Sequence, residues 1–285
     1  MSSAEVAAPT SRAGSGTLQL LGNELSTQFR RWRTWAMLAA LALIPILLGT
    51  AIRLVGGSRP GRGPAFLDQI TDNGFFVSLA ALTVAIPLFL PLTVSVAAGD
   101  AIAGEASHGT LRYLLIAPAG RVRLLLVKYL STVAFCIAAT ATMVVVGALV
   151  GWMLFPVGPV TLLSGTQVSV GEGLLRLLAV GAYVSVSLFG LSAIGLFLST
   201  LTSVPIGAMA ATAILAVAAQ IAGAIPQLEA LHPWLFTDRW LDFGDLLRSP
   251  IVWDSFVGNA LLQGAYILVF GAAAIARFST KDVLS

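Results

Sequence analysis

Three groups of side chains in this sequence have types and spacings that bear on chemistry. Glu105, His108 and Arg112 stand at i, i+3 and i+7, within an arc of about 60° on a helix. Asp238, Asp242 and Asp245 follow His232 in a Trp-rich stretch, and Cys136 stands alone inside an apolar run. None of the three assembles a familiar reaction centre. A zinc site needs three or four His, Cys or carboxylate ligands in one place, and here one cysteine and two histidines are far apart in the chain. ATP hydrolysis needs a phosphate-cradling loop that ends in Gly-Lys-Ser/Thr. The two lysines, Lys128 and Lys281, do not follow glycine. The spacing predicts no catalytic residue, no metal and no cofactor held by this chain. The carboxylates between Pro226 and Asp254 are left as a solvated cap or as the acids of a membrane-embedded enzyme.

The elements that must position these groups are membrane helices. Of 285 residues, 57% are hydrophobic and 10% charged, with a mean hydropathy of +0.91, which no soluble domain matches. A bilayer core takes about 20 apolar residues per helix. Six such runs are predicted, near residues 36–54, 75–99, 124–155, 174–198, 204–225 and 255–276. The fold class that follows is all-α, a polytopic membrane protein with six transmembrane helices and no sizeable soluble domain. Residues 1–16 read as a disordered tail, 17–35 as an interfacial amphipathic helix and 36–285 as the transmembrane domain. The net charge of +3 flanks apolar spans instead of forming a basic soluble face, so nucleic acid is not expected as a partner. Arginine supplies nearly all of the basic residues and alanine is abundant, a composition that suggests a GC-rich bacterial genome.

In the N-terminal segment Leu18, Leu21, Leu25, Phe29 and Trp32 fall in an apolar stripe about 80° wide. Arg30, Arg31, Trp32 and Arg33 follow at its end as interfacial anchors, with the aromatic ring at headgroup depth and the arginines toward anionic lipid. Pro87 and Pro91 predict a kink in the second span. Gly147 and Gly151 form a GxxxG pair in the third, which allows close approach of another helix. Ser185, Ser187 and Ser192 in the fourth either line a path or bond their own backbone. Counting Lys and Arg, ten lie on the side of the N-terminus and six on the other. That ratio predicts both termini in the cytoplasm.

The polar island Asp100–Lys128 lies between two of the apolar runs, and its residues resemble the bacterial type-2 ABC transporter permeases. The resemblance rests on Glu105, Gly109, Thr110, Leu111, Arg112, Leu114, Leu115, Pro118, Arg121 and Lys128: an acid, then Gly-Thr-Leu-Arg, two further leucines, a proline, an arginine and a lysine before a long span. It implies a cytoplasmic coupling helix between spans two and three. Glu105, Gly109, Thr110, Leu111, Arg112, Pro118 and Arg121 would there meet a separate ATP-binding subunit, which would hold ATP and Mg. It also implies a second permease chain, identical or related, a location in the bacterial cell membrane, and export of an amphiphilic, lipid-like or drug-like cargo. Outside the island the likeness is one of layout. His108 has no place in the pattern. A membrane-embedded enzyme or scaffold acting on lipid-linked substrates is the alternative.

Overall fold

The computed structural model of the chain describes residues 13–55, 73–109 and 120–280. Eight α-helices order these residues: α1 Ala13–Arg30, α2 Trp32–Val55, α3 Phe75–Ala85, α4 Phe89–Ser107, α5 Arg121–Leu154, α6 Val170–Leu201, α7 Pro205–Ala224 and α8 Asp254–Thr280. Five of them, α2, α5, α6, α7 and α8, are long and apolar enough to cross a membrane, and α3 with α4 form a further crossing bent by 60°. The chain is therefore an all-α polytopic protein.

Several helices outrun the apolar stretch that announces them, whereas Pro205–Ala224 stays within its expected 204–225. The second span was expected to end at Gly99, yet α4 continues to Ser107. Hydropathy marks only the turns that sit in hydrocarbon, whereas the backbone goes on pairing with itself through the headgroup layer. At the N-terminus the expected helix over 17–35 is α1 from Ala13 to Arg30, which takes in 13–16 of the expected disordered tail, the rest of that tail lying outside the described residues, and Trp32 and Arg33 already belong to the first turn of α2. The segment between α5 and α6 carries a two-residue antiparallel bridge, Val160–Thr161 with Gln167–Val168. Ser169 starts α6 by accepting the amide N–H of Glu172 at 3.3 Å, a Ser-x-x-Glu start.

The bend in the second span falls where the prolines are. Pro91 has no N–H, so the carbonyl of Pro87, four residues back, loses its helical donor. The Gln220 side-chain amide on α7 donates to that carbonyl instead. The bend lets one crossing change neighbours: α3 packs mainly on α5, whereas α4 packs mainly on α6 and α7. Despite the bend, the pair traverses the bundle. Gly74, just before α3, meets Gly151 near the end of α5, and Glu105 near the end of α4 bonds Lys128 near the start of α5. Those two points on α5 are about 35 Å apart at 1.5 Å per residue, which covers a bilayer core of about 30 Å.

The Gly147/Gly151 pair has its partner inside the chain. A side chain on Gly151 would run into the Gly74 backbone and one on Gly147 into Ser78, and the Ser78 hydroxyl donates to the Val144 carbonyl at 3.1 Å. In lipid, where apolar surface gains little from leaving the acyl chains, such close backbone approach and van der Waals contact are what join helices. Of the five long helices α6 is the most buried, and α2, α7 and α8 present most of their surface outward.

Candidate functional site: an ionic junction at the α1 end

Six charged side chains converge where α1, α2, α4 and α5 meet. Lys128, on the second turn of α5 and only 3% exposed, gives one N–H to Glu24 of α1 at 2.8 Å and another to Glu105 of α4 at 3.0 Å. Asp100, two turns before the end of α4, accepts from Arg31 at 3.2 Å and from Arg33 at 3.3 Å on the same carboxylate oxygen. Arg31 also comes within 4.0 Å of Glu105 and so joins the two halves. Gln28, one turn beyond Glu24, accepts from the Ser131 hydroxyl, one turn beyond Lys128. Together they hold α1 against the start of α5.

The α1–α2 elbow that makes this possible is a single non-helical residue, Arg31. Thr34 donates through its hydroxyl to the Gln28 carbonyl at 2.6 Å, and the Trp35 indole N–H to the Phe29 carbonyl at 2.7 Å. Two of the carbonyls left open at the end of α1 are thereby satisfied. At the end of α4 the chain turns on Gly109, whose φ of +72° belongs to the left-handed region that glycine enters without strain. His108 has a role here that its sequence does not announce. Its ring Nδ1 lies 2.6 Å from the Gly104 carbonyl, where an Nδ1–H donates to one of the last carbonyls of α4.

This geometry revises the expected island. Glu105 lies within α4, which ends at Ser107, and His108 and the left-handed Gly109 follow it outside the helix. Glu105 is an internal group, 19% exposed and bonded to Lys128, and not an outward charge awaiting a partner. Thr110, Leu111, Arg112 and Pro118 lie outside the described residues. Arg121, in the first turn of α5, donates to the carbonyls of Phe278 at 3.2 Å and Ser279 at 2.7 Å, a cation on the negative end of α8. Of the four anchors, Arg30 and Trp32 are exposed as expected, whereas Arg31 and Arg33 reach back to Asp100.

Reading the sequence missed Glu24, Gln28 and the burial of Lys128. The signals were present. Lys128 falls among Leu124, Leu125, Ser131 and Phe135, all on the buried face of α5, and Glu24 and Gln28 border the apolar stripe of α1 on one flank.

At the opposite end, residues 226–253 form a cap of two 3₁₀ turns, Pro226–Trp234 and Asp242–Leu247. Side chains from the bundle fasten it. Tyr183 donates to the Arg239 carbonyl at 2.5 Å, and Gln263 to the Phe236 carbonyl at 2.8 Å. Arg176 reaches the carbonyls of Leu246 at 3.0 Å and Arg248 at 2.7 Å. The acids do not converge: Asp245 accepts from Ser255 at 2.5 Å and pairs with Arg248 at 3.1 Å. Burial raises the Asp242 carboxyl above the ordinary range; Arg239 opposes the rise, and Asp238 and Asp245 add to it. Trp240 is 2% exposed and packs on Phe236, whereas Trp234 and Trp253 are exposed. No group of three or more His, Cys, Asp or Glu that could hold a metal occurs among the described residues. The serines of α6 divide. Ser185 and Ser187 bond their own helix, whereas Ser192 meets Thr132 of α5 at 2.5 Å.

No curated protein matches the chain. Residues 42–284 match the family described as "Protein of unknown function (DUF2705)". These residues run from the middle of α2 past the end of α8, so Asp100, Glu105 and Lys128 of the ionic junction lie inside the matched region and Glu24, Arg31 and Arg33 outside it, and the chain belongs to the DUF2705 family.

Proposed function

We propose that this protein is the membrane-spanning permease subunit of an ATP-binding-cassette exporter, set in a bacterial cell membrane with both termini in the cytoplasm. In this reading a separate subunit binds and hydrolyses ATP with Mg, two permease chains enclose the path, and the cargo is amphiphilic, lipid-like or drug-like. The observation that carries the reading is the attachment of the connection between the bent span and α5. That connection contains Thr110, Leu111, Arg112 and Pro118, and it leaves α4 two residues after Glu105 and enters α5 at Arg121, two turns before Lys128. The Glu105–Lys128 bond closes its base at 3.0 Å, and Glu24 ties the same lysine to α1. A force applied to the connection by a partner would therefore reach three helices at once. ATP-driven closure of two docked subunits would draw these helix ends together and convert it into alternating access. The enzyme alternative would draw on His232, Asp238, Asp242 and Asp245 in the cap, where Asp245 is engaged by Ser255 and Arg248 and the His232 ring lies against the Ile225 carbonyl.

The test is purification of the tagged full chain from its native membrane, with identification of co-purifying proteins and an ATPase assay. An ATP-binding subunit is expected, and Arg112→Glu is expected to release it while the chain still folds. Glu105 is unsuited to this test because its change also breaks the junction. Absence of any ATP-binding protein, under conditions that preserve other membrane complexes, overturns the proposal.

A further inference from the structure

The junction is neutral in sum but not evenly so. Lys128 sits between two carboxylates, which leaves its buried half with one negative charge, whereas Arg31 and Arg33 share Asp100 and leave the outer half with one positive charge. The outer half is the accessible one: the Arg31 and Arg33 side chains are 49% and 53% exposed and Lys128 is 3% exposed. The two guanidinium groups border a recess of about 50 Å³ with Asp100, Thr34 and Glu105. Asp100 occupies one N–H position on each arginine. The other N–H groups of Arg33 have no acceptor among the described residues. The connection after Glu105 cannot supply one as a carboxylate, because residues 106–128 contain no acid.

The depth of the site follows from its neighbours. Trp32 and Trp35 are exposed on either side of Arg33, and tryptophan in such a position marks the boundary between hydrocarbon and headgroups. At that depth the abundant oxyanion is phosphate, and the planar guanidinium fork matches it with paired charge-assisted bonds. We propose that Arg31 and Arg33, held side by side on Asp100, bind the phosphate of an anionic phospholipid in the seam between the α1–α2 elbow and α4. The site does not depend on the transport reading. It makes one bound lipid a bridge between the elbow and the second span.

The experiment uses the full chain in nanodiscs of phosphatidylcholine alone or mixed equally with phosphatidylglycerol, with retained lipid counted by native mass spectrometry and thermal stability followed in parallel. Selective retention of phosphatidylglycerol with a raised melting temperature is expected. Arg31→Gln and Arg33→Gln are each expected to weaken retention about tenfold. Arg30→Gln removes the same charge one residue away, outside the recess, and is expected to leave it nearly unchanged. Equal losses in all three variants mean diffuse attraction to an anionic surface and overturn the proposal. If Arg31→Gln does not fold, Arg33→Lys decides: it keeps the charge and loses the fork, so retention must fall, and unchanged retention overturns a built site. Inorganic phosphate added to the protein in detergent separates the two sources. Stabilisation equal to that given by the lipid assigns the site to free phosphate and overturns the lipid assignment.

Discussion

Lys128 is the costliest residue in the molecule to place, since an ammonium taken out of water loses hydration worth several kcal/mol unless its surroundings replace it. Glu24 and Glu105 do so at 2.8 and 3.0 Å. Removing the cation leaves two carboxylates close together in a partly enclosed site. Lys128→Met is therefore expected to destabilise the protein by about 3 kcal/mol, read as a fall in melting temperature in detergent. Glu24→Gln, which leaves the lysine one carboxylate, should cost clearly less. Adding Glu24→Gln and Glu105→Gln to Lys128→Met should recover most of the loss, because the buried half of the junction then carries no charge. A triple variant no more stable than Lys128→Met would mean that the lysine acts through packing and not through charge. At this scale the sequence was only partly legible. The polar island was visible, and so were Glu105 and Lys128, but their pairing was not: 23 residues separate them, and the left-handed turn at Gly109 redirects the chain between them. Of the helical face expected for Glu105, His108 and Arg112, α4 holds Glu105 and ends at Ser107, and Arg112 lies outside the described residues.

The helices themselves were easier to read, because a run of about 20 apolar residues has few fates besides a span. The five long apolar helices, the bent α3–α4 pair and an N-terminal helix could be located from hydropathy and residue type. Their ends and their partners could not. Hydropathy is silent about turns that continue into the headgroup layer, and nothing in the sequence near Pro87 names the residue that caps it, since Gln220 lies 133 positions away. The bend permits a sharp test of that cap. Gln220→Leu removes the donor to the Pro87 carbonyl and leaves it unpaired in an apolar setting, at a cost of about 1–3 kcal/mol. Pro91→Ala restores the backbone N–H that a regular helix would aim at the same carbonyl. In the Pro91→Ala background the effect of Gln220→Leu should therefore shrink to near zero. Thermal melts of the four proteins form a double-mutant cycle, and strict additivity would show that Gln220 contributes by packing alone.

At the scale of the whole molecule, the alternation of six crossings places every polar connection at one end or the other. The α1 end collects the elbow, the Gly109 turn, the start of α5, the short α6–α7 link and the end of α8. The opposite end collects the start of α3, the β bridge and the fastened cap. Only the positive-charge count assigns these ends to sides of the membrane, and Arg53, Arg59, Arg62, Arg176, Arg239 and Arg248 stand on its minority side. Arg176 is 7% exposed and committed to Glu172 and to two carbonyls of the cap, so it is a structural group with little weight in orientation, and the imbalance toward the α1 end becomes steeper without it. The proposal thus predicts that the α1 end faces the cytoplasm. The chain is suited to a direct test because its single cysteine, Cys136, is buried and should not react with a polar thiol reagent in the folded state. Ser203→Cys places an exposed thiol in the α6–α7 link, and Thr166→Cys one in the β bridge connection. A membrane-impermeant maleimide should label the Thr166→Cys protein on intact cells and the Ser203→Cys protein only after the membrane is opened. The reverse pattern would put the Gly109 connection outside the cell, where no ATP-binding subunit can reach it, and would end the exporter reading without touching the fold.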